Sequence, residues 1–262
     1  MSPLEDDFSY VLRKALIGHG LAPSDAAARA GLPEADVLAL LRGAFSAATA
    51  RRLAPVLGLD ADAFAGHAAY HPAPCMVPGI TRLDLPFGKE QVNAWLVRVG
   101  DVIILFDAGY EPTDLIDAIA AICGRLPDLA CITHGHHDHV GALPNLLQAG
   151  LPVHAAGIAG TLPMHPGDTL RRGALSVRAC DLSGHATPAL GFHLGGLGQP
   201  ALVVGDALFA GSMGGCKSPA LYQHARRRLR EVLGPLPDET VLLPGHGPAT
   251  TLGEERAANP FL

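Results

Sequence analysis

Residues 133–141, with the sequence THGHHDHVG, constrain this chain more than any other stretch because they form a His-x-His-x-Asp-His pattern. The stretch follows a short apolar run and precedes a helix-like segment. This placement predicts a strand-to-helix loop, where α/β proteins often carry their chemistry. His134 and His136 are two residues apart, so in extended backbone both rings point to the same side and can share one ion. Asp138 and His139 lie just beyond, within reach of a second ion. Because so many polar side chains at one loop are costly without a common partner, the pattern predicts a metal site.

Composition indicates a globular chain without a charge-driven partner. Of its 262 residues, 48% are hydrophobic, which is ample for one large domain or for a medium domain with a small one. The formal net charge of −6 gives no long-range attraction to nucleic acid or to an anionic membrane. The chain is therefore expected to act on a small molecule, and binding of nucleic acid is disfavoured. A homodimer is left open.

The sequence carries no signal for export or for a membrane. Its apolar runs are too short to span a bilayer, and its first residues are acidic rather than basic and then apolar. Five cysteines are scattered and never form a Cys-x-x-Cys pair, which argues against a disulfide framework and against a thiolate zinc site. These features predict a cytoplasmic protein without a membrane segment.

Residues 1–66 are typical of a small all-α domain. Helix-like segments lie at 8–18, 24–30, 33–41, 47–57 and 61–65. Ser24 is predicted to cap the second of them. The order resembles the helix-turn-helix domains of Cro and phage-repressor regulators, with 33–41 as the recognition helix. Six Lys or Arg against eight Asp or Glu in this region, with Glu34 and Asp36 on that helix, disfavour DNA binding. The alternative is a helical module that mediates dimerisation or that packs over the catalytic domain.

Residues 67–78 are predicted to be a linker, since prolines at 72, 74 and 78 interrupt helical and ladder hydrogen bonding. From 79 to 262, strand-like and helix-like runs alternate, which predicts a mixed α/β domain. The strand-like runs lie at 80–85, 92–99, 102–106, 129–133, 153–155, 175–181, 190–194, 201–205 and 240–243. The helix-like runs lie at 112–123, 140–148 and 218–233.

Three further ligand-type residues stand at the ends of predicted strands. His185, Asp206 and His246 each follow a glycine, which permits a sharp turn and a close approach of the backbone. Asp107 also follows a strand, and its expected role is to orient a ligand histidine or to close a turn. His137, between the ligand-type residues of the first motif, is expected to face either solvent or substrate, with solvent favoured.

With these motifs in this order, the chain resembles the metallo-β-lactamase superfamily, a group of hydrolases with an αββα sandwich, from about residue 80 to residue 262. The resemblance implies an α/β fold of that type, preceded here by the small helical domain. It implies two divalent metal ions, with zinc expected and iron or manganese also suited to these ligands. One ion would be held by His134, His136 and His185 and the other by Asp138, His139 and His246, with Asp206 bridging them. The ions would share a hydroxide as the nucleophile, and Asp138 is also the candidate catalytic residue.

Within the superfamily, residues 205–212 and the ending 244–251 resemble the glyoxalase II group, the hydroxyacylglutathione hydrolases. The resemblance implies hydrolysis of a thioester of that type. At 214–217 this chain has Gly-Gly-Cys-Lys where many members of the group have Gly-Arg-Thr-Asp or Gly-Arg-Ser-Asp, and it is expected to lack their extra C-terminal helical domain. Lys217 is expected either to be solvated or to meet a substrate carboxylate.

Three alternatives stay open. A persulfide dioxygenase uses a related scaffold with one iron, at positions that match His134, His185 and Asp206. A lactone or β-lactam hydrolase would use the same ligands, because the same hydroxide attacks any activated carbonyl. In a different class, a metal-domain transcriptional regulator would bind DNA through residues 1–66.

Overall fold

A computed structural model describes residues 3–262, and its N-terminal part is a cluster of short helices. These are α1 (Phe8–His19), α2 (Pro23–Ala30), α3 (Glu34–Leu41), α4 (Ala47–Leu53) and α5 (Ala61–Gly66), with 3-10 turns at Ala54–Leu57 and His67–Ala69. The prediction that Ser24 caps α2 is wrong. The helix begins one residue earlier, at Pro23, and its N-cap, Ala22, makes no side-chain hydrogen bond. Proline suits the first turn because it has no N–H to satisfy there.

Two six-stranded sheets form the rest of the fold. The first sheet contains, in spatial order, β1 (Ile80–Phe87), β2 (Glu90–Val99), β3 (Val102–Phe106), β4 (Leu129–Cys131), β5 (Val153–Ala155) and β6 (Leu162–Pro163). The second contains β7 (Thr169–Arg172), β8 (Leu175–Asp181), β9 (Leu190–Gly195), β10 (Ala201–Gly205), β13 (Val241–Pro244) and β14 (Thr250–Thr251). A small hairpin of β11 (Leu208–Phe209) and β12 (Ser212–Met213) follows β10.

Five more helices accompany the sheets in the described part of the chain. They are α6 (Pro112–Cys123), α7 (His137–Val140), α8 (Leu143–Gln148), α9 (Pro219–Leu233) and α10 (Leu252–Ala258). The prediction of a single helix at 140–148 is wrong. Two short helices are present instead, and residues 141 and 142 lie between them in neither helix. Within residues 3–262, no helix is both long and apolar enough to cross a bilayer.

Apolar side chains on both faces of each sheet explain the layered arrangement. Between the sheets, Phe106 of β3 packs against Phe192 of β9, with ring centroids 5.5 Å apart, in a fully buried cluster. On the outer face of the first sheet, Leu105 is buried with Leu115 and Ile119 of α6. Sheets buried on both faces need helices on the outside. The predicted αββα sandwich is confirmed.

The N-terminal helices share one apolar core with the second sheet. Leu12 of α1 and Leu57 after α4 are buried in the same cluster as Tyr222 and Leu229 of α9 and Leu242 of β13. At Gly18 of α1, a Cβ atom would come 2.5 Å from two ring carbons of Tyr222, so only a glycine permits this approach. The outer face of the second sheet is therefore covered by α9 together with the N-terminal helices.

Parallel pairing places the ends of several strands at one edge of the sandwich. In the first sheet β3 pairs with β4 in parallel, and in the second β10 pairs with β13 in parallel. β8 runs in the direction of β10, because both are antiparallel to the intervening β9. Residues that follow these five strands are therefore brought together at one edge.

Candidate metal centre

All seven predicted ligands lie at this edge. His134 and His136 follow β4, Asp138 and His139 lie in α7, and His185, Asp206 and His246 follow β8, β10 and β13 respectively. Hydrogen bonds between the two sheets hold the edge together. The Leu190 N–H donates to the carbonyl of Thr133 at 2.7 Å, and the Asn93 N–H donates to the carbonyl of Gly245 at 2.7 Å.

Four of the side chains form a first group, namely His134, His136, His185 and Asp206, whose ligand atoms all lie within 4.8 Å of one another. Nε2 of His134 and Nε2 of His185 are each 3.1 Å from Nδ1 of His136. Asp206 Oδ2 lies 3.5 Å from His185 Nε2 and 3.9 Å from His134 Nε2. His134 and Asp206 are buried, whereas His136 and His185 are half-buried and lie on the solvent side.

Asp138, His139 and His246 form a second group, whose ligand atoms also lie within 4.8 Å of one another. Asp138 Oδ2 is 3.3 Å from His246 Nε2 and 3.8 Å from His139 Nε2. Asp206 reaches this group too, with Oδ1 3.3 Å from His139 Nε2 and Oδ2 3.5 Å from His246 Nε2. The carboxylate of Asp206 therefore lies between the two groups.

Oxygen acceptors orient the histidine rings from behind. The Nδ1 atoms of His185 and His246 lie 2.8 Å from the carbonyls of Gly215 and Gln91 respectively. His139 Nδ1 lies 2.9 Å from Asp107 Oδ2. These oxygens only accept, so the neutral form of each ring carries its proton on Nδ1 and presents the Nε2 lone pair to the groups.

Burial and charge have opposite effects on the pKa of His134 and on the pKa values of the two histidines in the second group. Burial, with the charge of His139, lowers the pKa of His134 to about 2, so that ring is neutral. Burial also lowers the pKa of His139, but the carboxylates of Asp206 and Asp107 outweigh it and raise the pKa to about 10. Burial also lowers the pKa of His246, but the hydrogen bonds that its ring donates to Asp138 and Asp206 outweigh burial and raise the pKa to about 11. In the metal-free protein, protons on the second group therefore balance the carboxylates.

The residues present fit a bound cation. His139 Nε2 and Asp206 Oδ1 are buried without a hydrogen-bond partner. In the first group, His136 Nδ1 has two ring nitrogens facing it at 3.1 Å and can donate a proton to only one of them. A Cβ at Gly245 would collide with Asp206 Oδ1 and come 2.6 Å from His139 Cε1, so the glycine preserves this space. Imidazole and carboxylate ligands together suit zinc, iron or manganese.

Asp107 is placed for one of the two roles that its position predicted, since its carboxylate contacts the ring of His139. Its backbone is left-handed, with φ at +61°, and its Oδ1 accepts from the N–H of Thr133 at 2.7 Å while Oδ2 contacts His139. His137 is exposed, as expected, with its ring centroid 5.4 Å from that of Tyr110. Lys217 is exposed at the rim of a cavity of about 330 Å³ that His136 and His185 also line.

Several residues that support the site were missed from the sequence. The hydroxyl of Thr133 lies 3.0 Å from His134 Nδ1 and 2.9 Å from Asp107 Oδ2. Its position at the head of the histidine motif was a usable signal, since a hydroxyl there can reach the first ligand. The carbonyls of Gln91 and Gly215 have no sequence signal, because every residue carries a carbonyl.

Comparison with known proteins identifies the family to which this chain is similar. The metallo-beta-lactamase superfamily model matches residues 87–178. Hydroxyacylglutathione hydrolase GloC of Haemophilus influenzae is 30% identical over 187 residues, which are 60% of this chain and 86% of that protein. The probable metallo-hydrolase YqgX of Bacillus subtilis is 28% identical over 204 residues, covering 68% of this chain and 95% of that protein.

Solved structures give the same result for the fold. TTHA1623 in a di-iron-bound form is 31% identical with a TM-score of 0.55, and the match covers 68% of this chain and 99% of that one. ETHE1 from Myxococcus xanthus is 24% identical with a TM-score of 0.57, covering 69% of this chain and 83% of that one. At that identity the likeness to ETHE1 concerns the fold alone. Both matches leave about a third of this chain without a counterpart.

Proposed function

This chain belongs to the metallo-beta-lactamase superfamily, and on that basis we propose that it hydrolyses a thioester of the hydroxyacylglutathione type. The superfamily assignment supports a metal-dependent hydrolase. The observation that supports hydrolysis by two ions is the position of the Asp206 carboxylate, within 3.5 Å of nitrogens in both histidine groups. The similarity to GloC, of which the chain covers 86%, supports the thioester.

The first group, His134, His136, His185 and Asp206, would hold one divalent ion, and the second group, Asp138, His139 and His246, would hold another with Asp206 shared. When bound, such ions lower the pKa of a coordinated water towards 7 and polarise the substrate carbonyl. The residues of this chain fix where that chemistry takes place. Because the rings of His139, His185 and His246 are oriented from behind through Nδ1, these three need little rearrangement when the ions bind.

Asp138 is the proposed catalytic residue in addition to its place in the second group. Burial raises its pKa, but the hydrogen bond from His246 and the charge of His139 outweigh this and lower the pKa to about 2. The carboxylate is therefore ionised at neutral pH and acts only as an acceptor. Its Oδ2, 3.3 Å from His246 Nε2, would be placed to accept a hydrogen bond from the water or substrate group that reacts at the site.

The cavity beside the first group supports substrate access from that side. It is lined by His136 and His185 together with Ile158, Leu221 and Lys217, so it offers one apolar wall and one exposed cation. A thioester of a carboxylate-bearing thiol would match this lining, with carbon atoms of the substrate against the apolar wall and the carboxylate near the cation. Lys217 would then face the carboxylate of the leaving thiol.

A substrate panel tests the proposal. The purified protein, reconstituted separately with Zn²⁺ and with Fe²⁺, is assayed against a hydroxyacylglutathione, a lactone, a β-lactam and a glutathione persulfide, with oxygen consumption followed for the last. We expect thioester hydrolysis to be the fastest reaction and to fall at least about 100-fold in His246→Ala, the low end of the loss for a key catalytic group. His193→Ala, a strand histidine outside both groups, is the matched control and should retain activity. Oxygen uptake without thioesterase activity would replace the proposal with persulfide dioxygenation.

The regulator alternative has a separate test. The exposed face of α3 carries Glu34 and Asp36, which repel a phosphate backbone. We therefore expect the full chain to show no salt-dependent, sequence-selective binding to a pool of random DNA duplexes. Enrichment of one sequence from the pool would favour the regulator.

A further inference from the structure

The structure points to Lys14 of α1 as a positioning residue for the metal ligand His185. We propose that Lys14 acts through the backbone of residues 213–215, which carries the carbonyl that orients the His185 ring. The inference rests on the proposed metal centre and assigns part of that centre to the N-terminal helices.

A continuous series of contacts connects Lys14 of α1 to His185. Lys14 Nζ donates to the carbonyl of Met213 at 2.9 Å. The stem of the same side chain lies over Gly215, where a Cβ would come 3.7 Å from Lys14 Cε. The Gly215 carbonyl in turn accepts from His185 Nδ1 at 2.8 Å. Lys14 thus anchors one end of a three-residue segment and packs against the other end.

The surroundings of Lys14 hold its ammonium group in one place. It forms an ion pair with Asp6, whose side chain is only 5% exposed, while that of Lys14 is 16% exposed. The ammonium also lies 5.1 Å from the ring centroid of Phe209, and Phe209 lies 5.9 Å from the ring of His246. On the same N-terminal segment, Glu5 Oε2 is 4.0 Å from His246 Nδ1. A largely buried lysine that is paired with a carboxylate has little freedom to leave the Met213 carbonyl.

This arrangement matters because the segment has few other hydrogen bonds: Met213 pairs with Leu208 in the small hairpin, and the Gly214 N–H donates to the Ala207 carbonyl at 3.4 Å. Residues 214–217 contain two glycines and belong to no helix or strand. A Cβ at Gly214 would come 2.9 Å from His185 Cβ, so the segment lies directly against the ligand. If the segment drifts, the Gly215 carbonyl moves away and the His185 ring loses the partner that sets its orientation.

The test measures binding of Co²⁺ to the metal-stripped, full-length protein. All variants carry His246→Ala, which weakens the second group and leaves the first group intact. The key variant is Lys14→Met with Asp6→Asn, since removing both charges leaves the net charge near the site unchanged and no buried carboxylate without a partner. We expect the Kd for Co²⁺ to rise about tenfold, at the lower end of the effect of outer partners of a ligand. The visible absorption bands of bound Co²⁺ should change in intensity, because the geometry around the ion changes.

Two controls decide what the result means. Arg13→Met, the neighbouring and exposed cation on α1, should leave the Co²⁺ affinity and spectrum unchanged. Asp6→Asn alone removes the ion pair but leaves Lys14 able to donate to Met213, so its Kd should lie between that of the His246→Ala parent and that of the double variant. If the double variant only lowers the unfolding temperature of the metal-free protein, while its Kd and spectrum match those of Arg13→Met, Lys14 is merely structural and the inference fails. Should Lys14→Met with Asp6→Asn not fold, Lys14→Leu with Asp6→Asn, a smaller apolar side chain that also has no donor for the Met213 carbonyl, is judged by the same two readouts.

Failure of the proposed function gives a different outcome. If the protein without any substitution binds no Co²⁺, the metal centre itself is wrong. If it binds Co²⁺ tightly but cleaves no thioester, only the substrate is wrong, and the comparison between the Lys14 and Arg13 variants still stands.

Discussion

Replacing Asp107 with asparagine should weaken the second metal-binding group while leaving the fold intact. Asp107 is 1% exposed and has a left-handed backbone, with φ at +61°. Asparagine tolerates this backbone region, whereas most other residues are strained there. The Asn side chain also keeps an oxygen that can accept from the Thr133 N–H, which lies 2.7 Å from Asp107 Oδ1. The substitution therefore isolates the contact to His139.

The expected loss follows from the proton on His139. An amide NH₂ in place of Oδ2 faces His139 Nδ1 at about the present 2.9 Å and donates to it. The neutral ring then carries its proton on Nε2, the atom that faces Asp138 and Asp206, and that atom cannot hold a cation. Loss of such an outer partner weakens metal binding by roughly 10- to 100-fold, which is about 1.4 to 2.8 kcal/mol. Hydrolysis at limiting metal should fall by the same factor.

Competition with a chromophoric chelator measures this loss for Zn²⁺. Asp128→Asn is the matched control, because Asp128 accepts from the N–H of Ile103 at 2.7 Å at the opposite end of β3. Its substitution removes the same charge and should leave both metal affinities unchanged. Unfolding of the metal-free variants reports any general loss of stability. Wild-type affinity for two ions in Asp107→Asn would refute the claim that this carboxylate sets the proton position on His139.

Three further outcomes are expected. Gly18→Ala should destabilise the protein by about 1 to 3 kcal/mol, because the added methyl group overlaps the Tyr222 ring. The control is Gly66→Ala, whose added methyl group meets nothing within 4 Å and should be neutral or stabilising. Equal denaturant midpoints for the two variants would contradict this prediction. In the metal-free protein the pKa of His139 is raised from 6.5 to about 10 and the pKa of His246 is raised to about 11. The contribution of these two groups to the free energy of unfolding is therefore complete below pH 6.5 and is lost as the pH rises towards 10 to 11. Apparent affinity for Zn²⁺ should rise over the same range as these protons leave, and a flat profile in titration calorimetry would oppose it. Chelation of bound metal should lower the unfolding temperature, and added Zn²⁺ should restore it in a concentration-dependent way.

Elements with strong apolar patterns could be predicted from the sequence. The helix at 112–123 and the strands at 102–106, 153–155, 175–181 and 201–205 lie where the pattern placed them. Short strands with polar composition, such as β7 (Thr169–Arg172), have no such pattern and depend on pairing with a neighbour, here β8. The helix α10 was missed although its signal was present. Thr251 and Glu254 form a capping box, and the Thr-x-x-Glu spacing announces one.

The clustering of the candidate ligands could be predicted for a different reason: it follows from residue type and spacing, whereas helices and strands follow from apolar patterns. Metal ligation needs rare residue types at strand ends, and spacing such as that of His134 and His136 is improbable without a shared ion. The acceptors behind the rings could not be found in the same way. The carbonyl of Gln91 is positioned by the end of the β1–β2 hairpin, and any residue there would supply the same oxygen to His246. Only the folded backbone shows which carbonyl it is.

The contact between Lys14 and Met213 lies at the limit of what sequence reasoning can reach. It joins residues 199 positions apart, and neither residue has a local pattern that marks it. Charge counting treated Lys14 as one of six basic residues in a possible DNA reader, because it weighs each cation as if it were solvated. In the structure this cation is nearly buried, paired with Asp6 and directed at the backbone that supports His185. A cation paired with a buried carboxylate adds little net attraction for a polyanion, so the observation that links α1 to the candidate metal centre also weakens the case for DNA binding.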